Sequence, residues 1–155
     1  MKELQIVNLA DHPQYADEFS RLTWEWWGKK EGRPIEEIQY RTKHSLGKND
    51  IPQVIIALLE KELAGFVSLW DNDFSNRQDL RPWLASLYVK EEHRGKGIGT
   101  ALQKRAIELV KQFGYKKLYL RTDEENYYER TGWKLKELAP LKGKTTRVYE
   151  YEVPK

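Results

Sequence analysis

Cysteine is missing from this chain altogether, and methionine occurs once in 155 residues. The first absence excludes a disulfide framework, a thiolate nucleophile and any zinc–thiolate site. No apolar run approaches the length of a membrane-spanning helix, and the opening MKELQIVNLA lacks the long apolar block of a secretory signal. A cytoplasmic location, with no membrane partner, is the expectation that agrees with these absences. A large charge excess of one sign is missing too. Against 27 Lys+Arg stand 24 Asp+Glu, for a net +3. The two signs are interspersed rather than gathered into a stripe, which argues against nucleic acid as a partner. The three histidines, His12, His44 and His93, share no metal-ligand spacing. The acidic stretch from Asp71 has Asn76 where a calcium loop needs glycine and Pro82 where it needs glutamate. No metal is expected.

What remains is the composition of one packed α/β domain over residues 1–155, with 39% hydrophobic and 33% charged residues. Strand-like runs occur at 4–9, 53–59, 63–70, 83–89, 116–121, 133–138 and 147–153. Helical spacing of Tyr15, Phe19, Leu22 and Trp26 predicts a helix over 12–28, stopped at Gly28, with Trp26 on its buried stripe. A second helix follows Pro34 over 34–46, and Ile98, Ala101, Leu102, Leu109 and Phe113 share one face of a third that ends at Gly114. A short helix is predicted over 126–130. The order is β-α-α-β-β-β-α-β-α-β-β, which implies a mostly antiparallel mixed sheet with one β-α-β crossover.

The stretch VKEEHRGKGIGTAL (89–102) carries the chemistry. Gly95, Gly97 and Gly99 lie between a strand and a helix and are flanked by Arg94 and Lys96. Bare backbone there lets successive N–H groups converge on an anion, and the helix that follows adds the positive end of its dipole. It is not a P-loop, since no G-x-x-x-x-G-K-[ST] string occurs. A dinucleotide fingerprint fails at its third glycine, which is Thr100. Although Asp123 lies where a ribose-binding acid belongs, too little chain follows for a doubly wound sheet.

Arg94-Gly95-Lys96-Gly97-Ile98-Gly99 resembles the acyl-CoA-binding R-x-x-G-x-G motif of the GNAT superfamily of N-acetyltransferases, and YYERTGW (127–133) is similar to that family's second signature. The element order agrees from end to end. The resemblance implies a GNAT fold whose two central strands splay apart around the pantetheine of acetyl-CoA, the acetyl donor. Backbone of Leu87 and Val89 would pair with pantetheine. The amides from Arg94 through Gly95, Lys96, Gly97, Ile98 and Gly99 to Thr100 would hold the pyrophosphate, with Lys96 and Arg105 near other phosphates. Tyr128 aligns with the family's general acid, with Tyr127 as its competitor. Arg121 and Glu124 stand where many members have Asn and Ala. Asn126 does not inherit that Asn role, and no general base is assured.

For the acceptor, Asp71, Asp73 and Asp79 are candidates to attract a cationic amine or relay its proton, with Arg81 and Trp83 beside them. Trp24 or Trp27, with Glu25, is the other candidate lining. The implied activity is transfer of an acetyl group to a primary amine in a ternary complex, the acceptor being a small cationic amine or a peptide N-terminus. The alternative is a non-catalytic acyl-CoA-binding sensor on the same fold. Homodimers are common in the family, and no interface is legible here.

Overall fold

The computed structural model describes residues 3–155. Seven strands, β1 (Leu4–Asn8), β2 (Gln53–Leu59), β3 (Glu62–Trp70), β4 (Trp83–Val89), β5 (Lys117–Thr122), β6 (Lys134–Leu141) and β7 (Lys144–Glu152), form one sheet in the order β1-β2-β3-β4-β5-β7-β6. Every neighbouring pair is antiparallel except β4 and β5. Three helices, α1 (Ala16–Thr23), α2 (Ile35–Lys43) and α3 (Ile98–Gln112), cover its faces.

The run QVIIALL of β2 is apolar throughout because both its faces are covered. Ile55, Ala57 and Leu59 pack with Ile98, Leu102, Ala106, Leu109 and Val110 of α3. Val54, Ile56 and Leu58 pack with Phe19 and Leu22 of α1 on the other side. Each such Val, Leu or Ile side chain contributes about 1.5–3 kcal/mol of burial. Alpha-2 joins the second layer through buried Ile38 and a 2.9 Å hydrogen bond from Ser20 Oγ to Thr42 Oγ1.

The central strands do splay. Their ladder contains one register pair, Trp83 with Tyr119, next to a 3.0 Å bond from the Tyr119 N–H to the Pro82 carbonyl. The cause lies within β4. Ala85 faces Ser68 and Tyr88 faces Phe66, so Ser86 and Leu87 together oppose Val67. Ser86 has a φ of 55°, and the resulting bulge bends the rest of β4 away from β5.

Two helices differ from their prediction. Residues 12–28 do not form one helix: short 3-10 turns at Leu9–Asp11 and Pro13–Tyr15 precede α1, and Trp24–Gly28 winds as a π-helix. The wider π turn breaks the 3.6-residue spacing after Thr23. Trp26 therefore leaves the buried stripe and is 39% exposed. The short helix near 126–130 is a 3-10 turn, Tyr128–Thr131.

Candidate active site

Between β4 and β5 the sheet opens into a cleft of about 510 Å³, lined by Leu87, Tyr88 and Val89, by Arg94, Gly95 and Gly97 to Thr100, and by Glu124, Tyr127 and Tyr128. Gly95 (φ 78°) and Gly97 (φ 82°) adopt left-handed backbone, which brings the chain abruptly into α3. No side chain caps α3, so its first amides are left open at the cleft. The Ile98 side chain is buried and anchors this end of the helix in the core. The Arg94 Nε–H donates to the Val89 carbonyl at 3.0 Å, tying turn to strand, while Lys96 is exposed. Arg105 does not reach this cleft; its guanidinium pairs with Glu108 at 3.3 Å. A bare turn, an open helix N-terminus and an unpaired strand edge fit the pyrophosphate and pantetheine of coenzyme A.

The two tyrosines both face the cleft, with rings perpendicular and centroids 4.8 Å apart. Tyr127 points to the turn: a Cβ at Gly99 would lie 3.2 Å from its hydroxyl. Tyr128 packs farther in, against Trp133 and Tyr149. Burial first, then the nearby Glu124, raises its pKa above the ordinary 10. Its hydroxyl is held protonated, as a hydrogen-bond donor. The sequence reading missed the residue that fixes this turn to α3. Gln103 is buried, and its Oε1 accepts 3.0 Å hydrogen bonds from Thr131 Oγ1 and Trp133 Nε1. A polar residue on a helix's buried face was the available signal.

Trp26 also lines the cleft, its ring 5.0 Å from Tyr88. His93 is not a surface histidine; it is 6% exposed, and its Nε2 lies 3.6 Å from Glu62. Glu62, Glu92 and His93 bring ligand atoms within 4.8 Å of one another. The Lys90 ammonium, 3.7 Å from the same Glu62 oxygen, already supplies a cation there.

The acceptor candidates separate into two groups. Trp83 is fully buried against Phe74, Tyr119 and Val148, and its Nε1–H donates to the Leu80 carbonyl. It is core, not acceptor lining, because its register opposite Tyr119 seals it under the loop that follows β3. Asp79 makes a double ion pair with Arg77, which also binds Glu137. That guanidinium holds the Asp79 carboxyl at about 2, which removes it as a proton relay. Asp71 and Arg81 are exposed, 3.7 Å apart, beyond the paired ends Trp70 and Trp83. They sit at the opposite end of the strands from Val89 and the glycine turn, so neither lines the cleft. Trp24 holds its own loop, donating from Nε1 to the Arg33 carbonyl at 2.8 Å. Glu25 pairs with Arg21 on the helix surface.

Asp73 and Trp27 remain. Trp27 stacks with the Arg41 guanidinium, 5.1 Å from its ring centroid, and Trp70 flanks the same guanidinium at 5.2 Å. Asp73 is exposed, next in the chain to buried Phe74, and its carboxyl feels the charges of Arg121, Arg41 and Glu31. Desolvation raises its carboxyl to about 6 against the pull of the two arginines. Arg121 follows Tyr119 by two positions on β5 and so shares the strand face on which Trp83 packs.

The chain matches the family model of Acetyltransferase (GNAT) over residues 16–133. It is 34% identical over 59 residues to N-alpha-acetyltransferase 30 of Schizosaccharomyces pombe (strain 972 / ATCC 24843), a match spanning 35% of this chain and 39% of that protein. Less than half of that curated relative's length is therefore spanned. A solved aminoglycoside 6'-acetyltransferase type Ii superposes with a TM-score of 0.76 at 20% identity, covering 97% of this chain and 98% of that one. An aminoglycoside 6'-N-acetyltransferase complexed with coenzyme A gives a TM-score of 0.77 at 17% identity, again over 97% and 98%. A GNAT-family acetyltransferase from Streptococcus pneumoniae gives 0.72 at 16% identity, over 98% and 100%.

Proposed function

Since the chain belongs to the GNAT family of acetyltransferases, we propose that it moves the acetyl group of acetyl-CoA to a primary amine by direct attack in a ternary complex. The observation that carries this reading is the convergence of the unpaired β4 edge, the bare left-handed turn at the N-terminus of α3 and the Tyr127–Tyr128 pair on one cleft.

Acetyl-CoA supplies a thioester. In the transfer, the amine nitrogen bonds to the thioester carbon, the carbon–sulfur bond breaks, and one proton leaves the nitrogen. With no cysteine in the chain, an acyl-thioenzyme is impossible. Amides from residues 94–100 would receive the pyrophosphate, and Leu87 and Val89 would align pantetheine along β4. Tyr128 stands as the hydrogen-bond donor to the departing sulfur. Its raised pKa, against about 8.5 for a reference thiol, makes it a partner that stabilises the thiolate without surrendering its proton outright. Of the three loop acids Asp73 alone has no arginine partner, and it is the one of them left to take the proton of the amine through water.

Thermal denaturation with acetyl-CoA, free CoA, NADH and ATP in parallel tests the reading. The CoA species alone should raise the midpoint, by the equivalent of about 2.7 kcal/mol at 100 times the dissociation constant. Equal stabilisation by ATP, or none by acetyl-CoA, removes the assignment of the turn. Stabilisation without thiol release for any amine would leave the sensor reading.

A further inference from the structure

The acids that follow β5 are not equivalent. Three of them are tied to β7: Asp123 accepts from Thr146 Oγ1 at 2.8 Å, Glu125 pairs with Arg147, and Glu129 accepts from the Tyr149 hydroxyl at 2.8 Å. Glu124 is the exception. Its backbone N–H donates to Thr122 Oγ1 at 3.1 Å, which fixes the loop, while its carboxylate has neither an ion pair nor a hydrogen bond among the described residues. Among those residues it is also the one acid that lines the cleft.

A cleft that served coenzyme A alone would gain nothing from this group. The cofactor is a polyanion, and a carboxylate beside it is repulsive. The wall that follows β4 suits the cofactor, with Arg94, the bare turn and the open amides of α3. Glu124 stands on the wall that follows β5, with the two tyrosines, and its charge is felt at the Tyr128 hydroxyl. The same cleft offers the partly exposed ring of Trp26, 5.0 Å from that of Tyr88. An unpaired carboxylate together with accessible aromatic faces is the chemistry that holds an ammonium ion and the carbon skeleton that carries it.

We propose that Glu124 is the docking carboxylate for the acceptor, and that the acceptor is a primary ammonium on an apolar carbon skeleton, its cationic head at Glu124 and its skeleton on the Trp26–Tyr88 pair. This rests on the reading of the same cleft as an acetyl-CoA site. Glu124 recognises the amine in its protonated form, so acceptor binding depends on it more than the chemical step does.

The probes are n-hexylamine, an ammonium ion at pH 7, and 1-hexanol, its neutral match in size. Calorimetric titration of the CoA-saturated full chain should give a dissociation constant about 10- to 100-fold lower for the amine, the range of a hydrogen bond to a charged group. In Glu124→Gln that ratio should fall close to one, and Glu124→Asp should keep part of it. Trp26→Leu should weaken amine and alcohol alike. With acetyl-CoA and hexylamine, thiol release by Glu124→Gln should show a raised amine KM, a larger change than any in kcat. The amine KM should climb with ionic strength in the parent and not in this variant. CoA itself should bind Glu124→Gln at least as tightly as the parent, because a repulsive charge has gone, whereas loss of a merely structural glutamate would weaken it. An amine bound no better than the alcohol would overturn the proposal, as would hexylamine bound without thiol release, or a loss of kcat in Glu124→Gln at unchanged amine KM. Failure of the parent to bind CoA would instead overturn the reading on which it rests.

Discussion

Tyr128 and Asp73 are the two side chains whose surroundings alter their chemistry most usefully. Removing the Tyr128 hydroxyl while keeping its ring against Trp133 and Tyr149 isolates the hydrogen bond. Tyr128→Phe should lower kcat about 100-fold, with acetyl-CoA affinity little changed. Tyr127→Phe, which loses a hydroxyl beside Gly99, should act on the acetyl-CoA KM instead, and steady-state kinetics of both variants separate the roles. For Asp73 the sign follows from its raised pKa of about 6. The basic form is lost as pH falls through 6, so kcat/KM should drop on that limb, and Asp73→Asn should flatten it. Stability moves the opposite way. A carboxyl that binds its proton more tightly folded than unfolded makes the fold less stable as pH rises from about 4 to 6. The Asn variant should therefore melt higher than the parent at pH 7, with the difference closing toward pH 4.

At the level of elements, the site is a product of interrupted regularity. Beta-4 bulges at Ser86, the helix after Thr23 widens into a π turn, and the chain enters α3 through two left-handed glycines. Gly97 has nothing within 4 Å of where a Cβ would stand, so an alanine there meets no clash in the protein, only the cost of φ 82°. Gly97→Ala should destabilise by about 1–2 kcal/mol. If the turn holds the pyrophosphate as proposed, its methyl would stand against that group, and the acetyl-CoA KM should rise about tenfold, equivalent to 1.4 kcal/mol. Isothermal titration with CoA checks the second effect apart from turnover. Gln103 ties these elements together, since its one oxygen fixes Thr131 and Trp133 against α3. The tyrosine turn and the glycine turn are thereby held in register.

For the whole molecule, the balance to be kept is an open cleft within a closed core. The sheet is joined across its middle by the single Trp83–Tyr119 pair, and Trp83 is the largest side chain packed there. Trp83→Ala should cost about 3–5 kcal/mol in denaturant unfolding. Loss of that seal under the 71–82 loop should also blunt the response to acetyl-CoA, because the splay then has no fixed apex.

Local chemistry was enough to read the glycine turn and the order of the elements, and the family resemblance pointed to the tyrosine pair. Bare backbone, apolar period and short motifs are properties of neighbouring residues, and they survive in any correct fold. The acceptor side was not readable in the same way. Asp71, Asp73 and Asp79 are alike as letters, and only folding gave two of them arginine partners and left the third without one. The sequence expected Trp26 in the core and Trp24, Trp27 and Trp83 at the acceptor, whereas a π turn and a strand register sent Trp26 to the cleft, Trp24 to its own loop, Trp27 to the Arg41 guanidinium and Trp83 to the core. Sequence determined what the backbone does around residue 97, since φ is a local variable. The tertiary structure decided which charges meet, since a charge's partner lies at whatever distance along the chain the sheet brings near.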